Sequence, residues 1–203
     1  MLNRRIIPID LNGKSWEWKG VSLALLGVED CHSNYLGWLE DPQVNRYLET
    51  RHQEQSIQTI REFVDSVCQD PLSWLFKISL EGQHVGNLKL GPANPIHLNA
   101  DCSYFIGDRA SWGKGVATKA VSLSVWLAFE KLGLEKLTAG FYEGHVGSMK
   151  VLERSGFLKE GKMKGHLYDE HQGKQVDKIT YGLTKSDWMK GEKVFPDERA
   201  KEG

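Results

Sequence analysis

The densest chemistry in this chain is the run Trp112-Gly113-Lys114-Gly115. Directly behind it Val116, Ala120, Leu123 and Leu127 recur at the spacing of one helix face. The first turn of a helix has N–H groups without an internal acceptor, and the macrodipole makes that end positive. Glycines let such a backbone come close to a ligand, so the pattern predicts a seat for a phosphate or pyrophosphate, with the charge of Lys114 beside it. Two familiar phosphate patterns fail. A Walker loop needs Ser or Thr after Lys114 and an earlier glycine where Ala110 stands. A dinucleotide fingerprint needs a third glycine where Thr118 stands. No metal site is expected, because His166 and His171 lack the HExxH pattern. Cys31, Cys68 and Cys102 form no CxxC pair and read as reduced thiols.

The elements around the glycines follow from periodicity and turn signals. A strand is expected over about Leu98 to Ile106, closed by Gly107-Asp108. The helix should begin at Gly115 or Val116 and run to about Lys131, with Gly133 past its end. Lys119, Ser122, Trp126 and Glu130 fall on its polar face, and Trp126 should be covered by the N-terminal arm. Leu137, Ala139 and Phe141 alternate in the next strand; a helix over Ser148 to Arg154 then stops at Gly156. Strands follow from Phe157 and over Asp177 to Leu183, joined by a hairpin tip near Asp169 to Lys174. Upstream, Trp16 and Trp18 alternate in a short strand, and Val21 to Leu26 is a second. Tyr35-Leu36 and Trp38-Leu39 give a helical stripe that Asp41-Pro42 breaks, and Ser56 caps a helix to about Cys68. Trp74 to Leu80 and His84 to Leu90 form a hairpin, and Gly91 to Pro95 a loop.

A chain of 203 residues with seven Trp and seven Phe suits one packed domain. Its expected limits are an arm over 1–20, a domain over 21–184 and a charged tail over 185–203. A formal net charge of −1 offers no electrostatic case for nucleic acid. No apolar run reaches membrane-spanning length, and Ile6-Ile7 behind Arg4-Arg5 is too short for a signal sequence. A cytoplasmic monomer or homodimer is expected.

The order strand, W-G-K-G-V-A-T, helix resembles the acetyl-CoA-binding motif of the GNAT superfamily of N-acetyltransferases, and more narrowly the branch containing the ribosomal-protein-alanine acetyltransferases. Gly115 and Ala117 match the superfamily's small residues, and Trp112 replaces its Gln or Arg, removing one backbone-ordering side chain. The run from His145 through Ser148, Lys150 and Leu152 to Gly156-Phe157 resembles the superfamily segment N-x-x-S-x-x-x-L-x-x-x-G-F. Trp38 to Leu48 also resembles the branch's opening helices, so the likeness covers roughly Val21 to Leu183.

The resemblance implies an α/β fold with a mixed, mostly antiparallel central sheet, splayed middle strands and helices on both faces. It implies acetyl-CoA as co-substrate, with pyrophosphate on Gly113, Lys114, Gly115, Val116, Ala117 and Thr118. The acetyl carbonyl would lie beside the N–H groups of Phe105 and Ile106, and Lys150 belongs to the same CoA-binding set. His145 takes the place of an Asn that bonds CoA, and Leu152 that of a Tyr that protonates the leaving thiolate, a task that falls to Ser148. Asp101 matches a position where some relatives carry a base carboxylate. His166 and Tyr168 flank Leu167, which stands where the branch carries a catalytic Glu, leaving His166 as a second candidate. The implied acceptor is a primary amine, a protein N-terminus or a small molecule such as an amino sugar. Its cleft would be built from Trp38 to Arg51, the Gly91 to Asn99 loop and the His166 to Lys174 hairpin. The alternative is a catalytically silent acyl-CoA-binding sensor or partner module.

Overall fold

The computed structural model describes Leu11 and residues 13–191. Eight strands form one sheet in the order β1-β2-β3-β4-β5-β6-β8-β7. In chain order they are β1 (Ser15–Trp18), β2 (Val21–Leu25), β3 (Trp74–Leu80), β4 (Gln83–Leu90), β5 (Asn99–Ile106), β6 (Lys136–Tyr142), β7 (Leu158–Asp169) and β8 (Lys174–Thr184). Every neighbouring pair is antiparallel except β5 and β6. The sheet is therefore mixed and mostly antiparallel, as the sequence led one to expect.

Helices cover both faces. Helix α3 (Val116–Trp126) continues through a wide turn to Lys131, where the N–H of Leu132 reaches back to Leu127 O at 2.9 Å. Val116, Ala120, Leu123 and Leu127 are all buried, and they pack with Leu23, Phe76, Leu88, Cys102 and Leu137 into the larger core. On the opposite face lie α1 (Ser33–Glu40) and α2 (Ile57–Gln69). Their Tyr35, Leu39, Ile60, Val64 and Val67 pack with Leu75 into a second, smaller core. Ser56 starts α2 as a reciprocal cap, its hydroxyl accepting from Thr59 N at 3.0 Å while Thr59 Oγ1 accepts from Ser56 N at 2.9 Å. Helix α4 (Val146–Arg154) follows β6 and packs beside α3, with Ser155 Oγ donating to Thr118 O at 3.5 Å.

The ends of the domain differ from the sequence reading. Lys185–Lys190, expected as the start of a tail, form helix α5. Thr184 caps it, and Trp188 packs edge-on against Phe129 with ring centroids 5.5 Å apart. The buried Trp188 and the bonds of Lys185 to Glu135 O and Phe129 O dock this charged stretch. At the other end Ser15–Trp18 form the short strand that Trp16 and Trp18 predict, at the edge of the sheet, with Trp16 buried in the larger core. Ser122 is buried, so the polar side of α3 is narrower than its sequence suggests. Trp126 is partly buried against the core, while most of the arm expected to cover it lies outside the described residues.

Replacing Trp188 with Ala should lower unfolding free energy by about 3 kcal/mol, the range for truncating a buried large aromatic. A denaturant titration checks this: the midpoint should fall with the slope unchanged. A midpoint equal to wild type would mean that Lys185–Lys190 are not part of the cooperative unit.

Candidate functional site

The middle of the sheet opens. Strands β5 and β6 pair only through Asn99↔Lys136, Ala100↔Leu137 and Asp101↔Thr138. Beyond those three registers β5 stays with β4 as far as Ile106, and β6 stays with β8 as far as Tyr142. The two strands thus diverge into a wedge, the splay expected from the sequence. Which backbone groups face it follows from alternation along a strand. Gly91 N bonds Asp101 O and Gly107 N bonds Val85 O, so the odd-numbered residues of β5 point their N–H and C=O at β4. Cys102, Tyr104 and Ile106 therefore point theirs into the wedge. On β6, the bond from Lys185 N to Glu135 O and that from Glu143 N to Asp177 O turn the odd residues toward β8, leaving Gly140 and Tyr142 to face the opening. This corrects one expectation. Ile106 presents its N–H to the wedge, but Phe105 presents its own to Asn87 of β4. The Phe105 ring instead joins Tyr35 and Trp38 of α1, at centroid distances of 6.0 and 6.4 Å.

The glycine bend sits at the mouth of this wedge. Gly113 and Gly115 have φ of +73° and +74°, the left-handed region that glycine enters without strain. A side chain at Gly115 would meet nothing within 4 Å, so space is open there. Gly115 is the N-cap of α3, which leaves the N–H groups of Val116, Ala117 and Thr118 as the free first turn. Lys114 is exposed beside them. Trp112 does not leave the bend unordered. Its indole Nε1–H donates to Ile106 O at 2.8 Å, so the bend is tied to the end of β5.

Helix α4 brings Ser148 and His145 to the other lip. Ser148 Oγ lies 3.1 Å from the hydroxyl of Tyr104, which also reaches Ser148 O at 3.3 Å. Tyr104 thus spans from β5 to α4, and its burial raises the phenol above its ordinary range. The sequence reading passed over Tyr104, although alternation from Ile106 places it on the α3 side of β5. His145 is the N-cap of α4: Nδ1 accepts from Ser148 N at 3.4 Å. Its ring stacks on Tyr47 at 4.1 Å. Burial, with a smaller push from Arg46, lowers its pKa to about 4, so the imidazole is neutral at neutral pH. Leu152, where relatives use a proton donor, is fully buried. Lys150 is exposed on α4.

A cluster around Arg51 closes the end of the wedge. Arg51 donates to Tyr142 Oη at 2.9 Å and to Tyr168 O at 3.2 Å, and lies 3.8 Å from a Glu170 carboxylate oxygen. Tyr142 Oη donates to Glu49 at 2.6 Å, and His52 pairs with Glu170 at 3.0 Å. The loop after α1, the end of β6 and the β7–β8 hairpin tip are thus joined. Two expected members of the cleft are elsewhere. The Gly91 to Asn99 loop is tied to Asp101 O and precedes β5, at the opposite end of the sheet, some 25 Å from Ile106 along the strand. His166 is exposed on β7 in a stretch where the register with β8 shifts. It lies three strands and about five residues from Asp101, roughly 20 Å by strand geometry, so the two form no constellation.

Asp101 is the last paired residue before the wedge and accepts a hydrogen bond from Thr138 Oγ1. It lines a cavity of about 370 Å³ with Ser103, Thr138, Gly140, Glu160 and Lys178, on the sheet face away from α3. Asp101 and Ser148 therefore address the wedge from opposite faces.

Residues 23–158 match the family described as Acetyltransferase (GNAT) domain. Two Bacillus subtilis proteins are similar to the chain. "Probable N-acetyltransferase YjcK" is 44% identical over 75 residues, 34% of this chain and 40% of that protein. "Putative ribosomal N-acetyltransferase YdaF" is 34% identical over 113 residues, 56% of this chain and 60% of that protein. The chain thus matches less than two thirds of the length of either relative. Among solved structures, the spermidine N-acetyltransferase from Vibrio cholerae in complex with CoA and spermine superposes with a TM-score of 0.75. That likeness has 18% identity and covers 85% of this chain and 99% of the other.

The state of His145 has a measurable consequence. Folding holds its pKa near 4 against an ordinary 6.5, so between these values the unfolded chain binds a proton that the folded chain does not. Stability from this group is complete above about pH 6.5 and is lost as pH falls toward about 4. His145→Asn, which keeps a capping side chain, should flatten that fall. Denaturant midpoints measured across this range check it; parallel curves for the two proteins would contradict a buried neutral imidazole.

Proposed function

The chain belongs to the acetyltransferase (GNAT) domain family, and from that premise we propose that it transfers an acetyl group from acetyl-CoA directly to a primary amine. The observation that carries this reading is the parting of β5 and β6 beyond Asp101 and Thr138, directly in front of the Gly113 to Thr118 bend. In this reading the slot-facing main-chain groups at the open ends of β5 and β6 pair with the pantetheine amides as an added strand would. The N–H groups of Gly113 to Thr118 hold the pyrophosphate at the positive end of α3, and Lys114 and Lys150 supply charge. The N–H of Ile106 polarises the acetyl carbonyl and stabilises the oxyanion formed when the amine attacks. The Ser148 hydroxyl hydrogen-bonds the sulfur as the carbon–sulfur bond breaks. Asp101, at the closed end of the slot, takes the proton that the amine must lose through bridging water, and His166, exposed on β7 and far from Asp101, takes no part.

For the acceptor we favour an N-terminal or small-molecule amine over a polyamine. YdaF carries a ribosomal name, and the Vibrio cholerae structure holds spermine. A polycation calls for several free carboxylates in one pocket. Here Glu49 is engaged by Tyr142 and Glu170 by Arg51 and His52, so the entrance offers few. The buried Leu152 supports one rival, an acyl-CoA-binding module without turnover.

Calorimetry should give micromolar affinity for acetyl-CoA, on the order of −7 kcal/mol, and Gly115→Glu should weaken it by at least about tenfold, about 1.4 kcal/mol. Equal affinity would refute the pyrophosphate seat. Release of free CoA thiol should occur with Ala- or Ser-starting peptides or nucleotide-linked amino sugars. It should fall about a hundredfold in Asp101→Asn and stay unchanged in His166→Gln. Thiol release with spermidine alone would overturn the reading of the entrance, and none with any amine would leave the silent module.

A further inference from the structure

We propose that Tyr104 is a positioning residue that aims the hydroxyl proton of Ser148 at the leaving sulfur; this rests on the acetyl-transfer reading above. A phenol has one proton to give. Its nearest acceptor is Ser148 Oγ at 3.1 Å, with Ser148 O at 3.3 Å. The carbonyl oxygen can only accept. When the phenol donates to Oγ, the serine's own proton must point away from Tyr104, because the space between the two oxygens is already occupied by a proton. Tyr104 stands on the diverging part of β5, with its backbone facing the wedge, and Ser148 is in the first turn of α4, the other lip. The direction left to the serine proton is the opening between them.

In the proposed polarity the phenol gives its proton to Ser148 Oγ rather than to Ser148 O. Tyr104 is partly buried against the larger core, and desolvation holds its pKa above the ordinary range, so the phenol keeps its proton. His145 takes the main-chain N–H of Ser148 through Nδ1 at 3.4 Å and stacks on Tyr47, which holds the first turn of α4 in place. The serine is thus held from two sides, and in the proposed polarity its hydroxyl hydrogen is left for the sulfur. In the reaction the amine nitrogen bonds the acetyl carbon and the carbon–sulfur electron pair passes to sulfur. The sulfur receives the Ser148 hydrogen bond, and the proton shed by the amine ends on the thiol. Tyr104 holds its proton throughout. Its contribution is greatest when sulfur is most negative, so it acts on the transition state and on bound thiolate, not on acetyl-CoA binding.

Two measurements on the whole chain test this. The first uses free CoA as probe and needs no acceptor: the thiol of bound CoA is titrated by thiolate absorbance in wild type, Tyr104→Phe and Ser148→Ala. Tyr104→Phe removes only an oxygen and keeps the packed ring. Wild type should titrate about one pKa unit below both variants, the scale of one hydrogen bond to an anion. Equal titration in all three overturns the proposal. The second is a double-mutant cycle on thiol release. Each single variant should lose about tenfold in kcat with the KM for acetyl-CoA unchanged, and the double variant should lose about the same tenfold. Losses that multiply to about a hundredfold, or an unaltered kcat in Tyr104→Phe, overturn it. If wild type releases no thiol with any amine, acetyl transfer fails while the CoA titration still decides whether Tyr104 directs Ser148.

Discussion

Three registers of parallel pairing decide the architecture of this protein. A sheet ordinarily pairs every backbone group, because a buried N–H or C=O without a partner is costly. Here β5 and β6 hold each other from Asn99 to Asp101 and then let go, while each keeps its outer neighbour. A bulge supports the divergence. The β3–β4 register shifts at Ile78 and Ser79, which leaves Val85 as the extra residue. Val85 O then accepts from both Gly107 N at 2.8 Å and Asp108 N at 3.0 Å, pinning the end of β5 toward β4. What would be a defect in an uninterrupted sheet becomes a slot lined with main-chain donors and acceptors.

Both helices that follow the diverging strands begin at this opening. The N-cap of α3 is a left-handed glycine, and that of α4 is a neutral histidine. Neither cap brings a negative charge, so the positive ends of both helices remain available to a ligand. A carboxylate cap, common elsewhere, would have satisfied the same N–H groups and repelled an anion. Trp112 adds the mechanical link: one indole hydrogen bond to Ile106 O makes the glycine bend and the end of β5 a single piece.

Much of this was legible in the sequence because local rules and global packing agree. The glycine bend, the Ser56 cap, the Trp74–Leu90 hairpin and the stop at Gly156 all rest on chemistry within a few residues. The splay was legible only through the resemblance, since no local pattern says where two parallel strands part. Three features were hidden for physical reasons. Tyr104 looks like an ordinary strand aromatic until its hydroxyl meets Ser148, 44 residues away. Arg51 reads as one more charged loop residue, and its partners lie 91 and 117 residues downstream. Lys185–Lys190 have too few apolar residues to show a period, and the buried Trp188 and the bonds of Lys185 dock them. Conversely, the Gly91 to Asn99 loop, expected at the cleft, lies at the other end of the sheet, which no local pattern in its residues indicates.

The Arg51 bridge has a bearing on how the two segments it joins can vary. Arg51 fastens the loop after α1 to the β7–β8 hairpin through contacts with Tyr142, Tyr168 O and Glu170. Two segments distant in sequence therefore form one rigid doorway, and neither is at liberty to lengthen or shorten alone. A shorter hairpin would leave a buried guanidinium facing carbonyls without its counter-charge. A different loop would strand Glu170 and Tyr142 together. A change of length in either segment therefore calls for a matching change in the other if these contacts are to be kept.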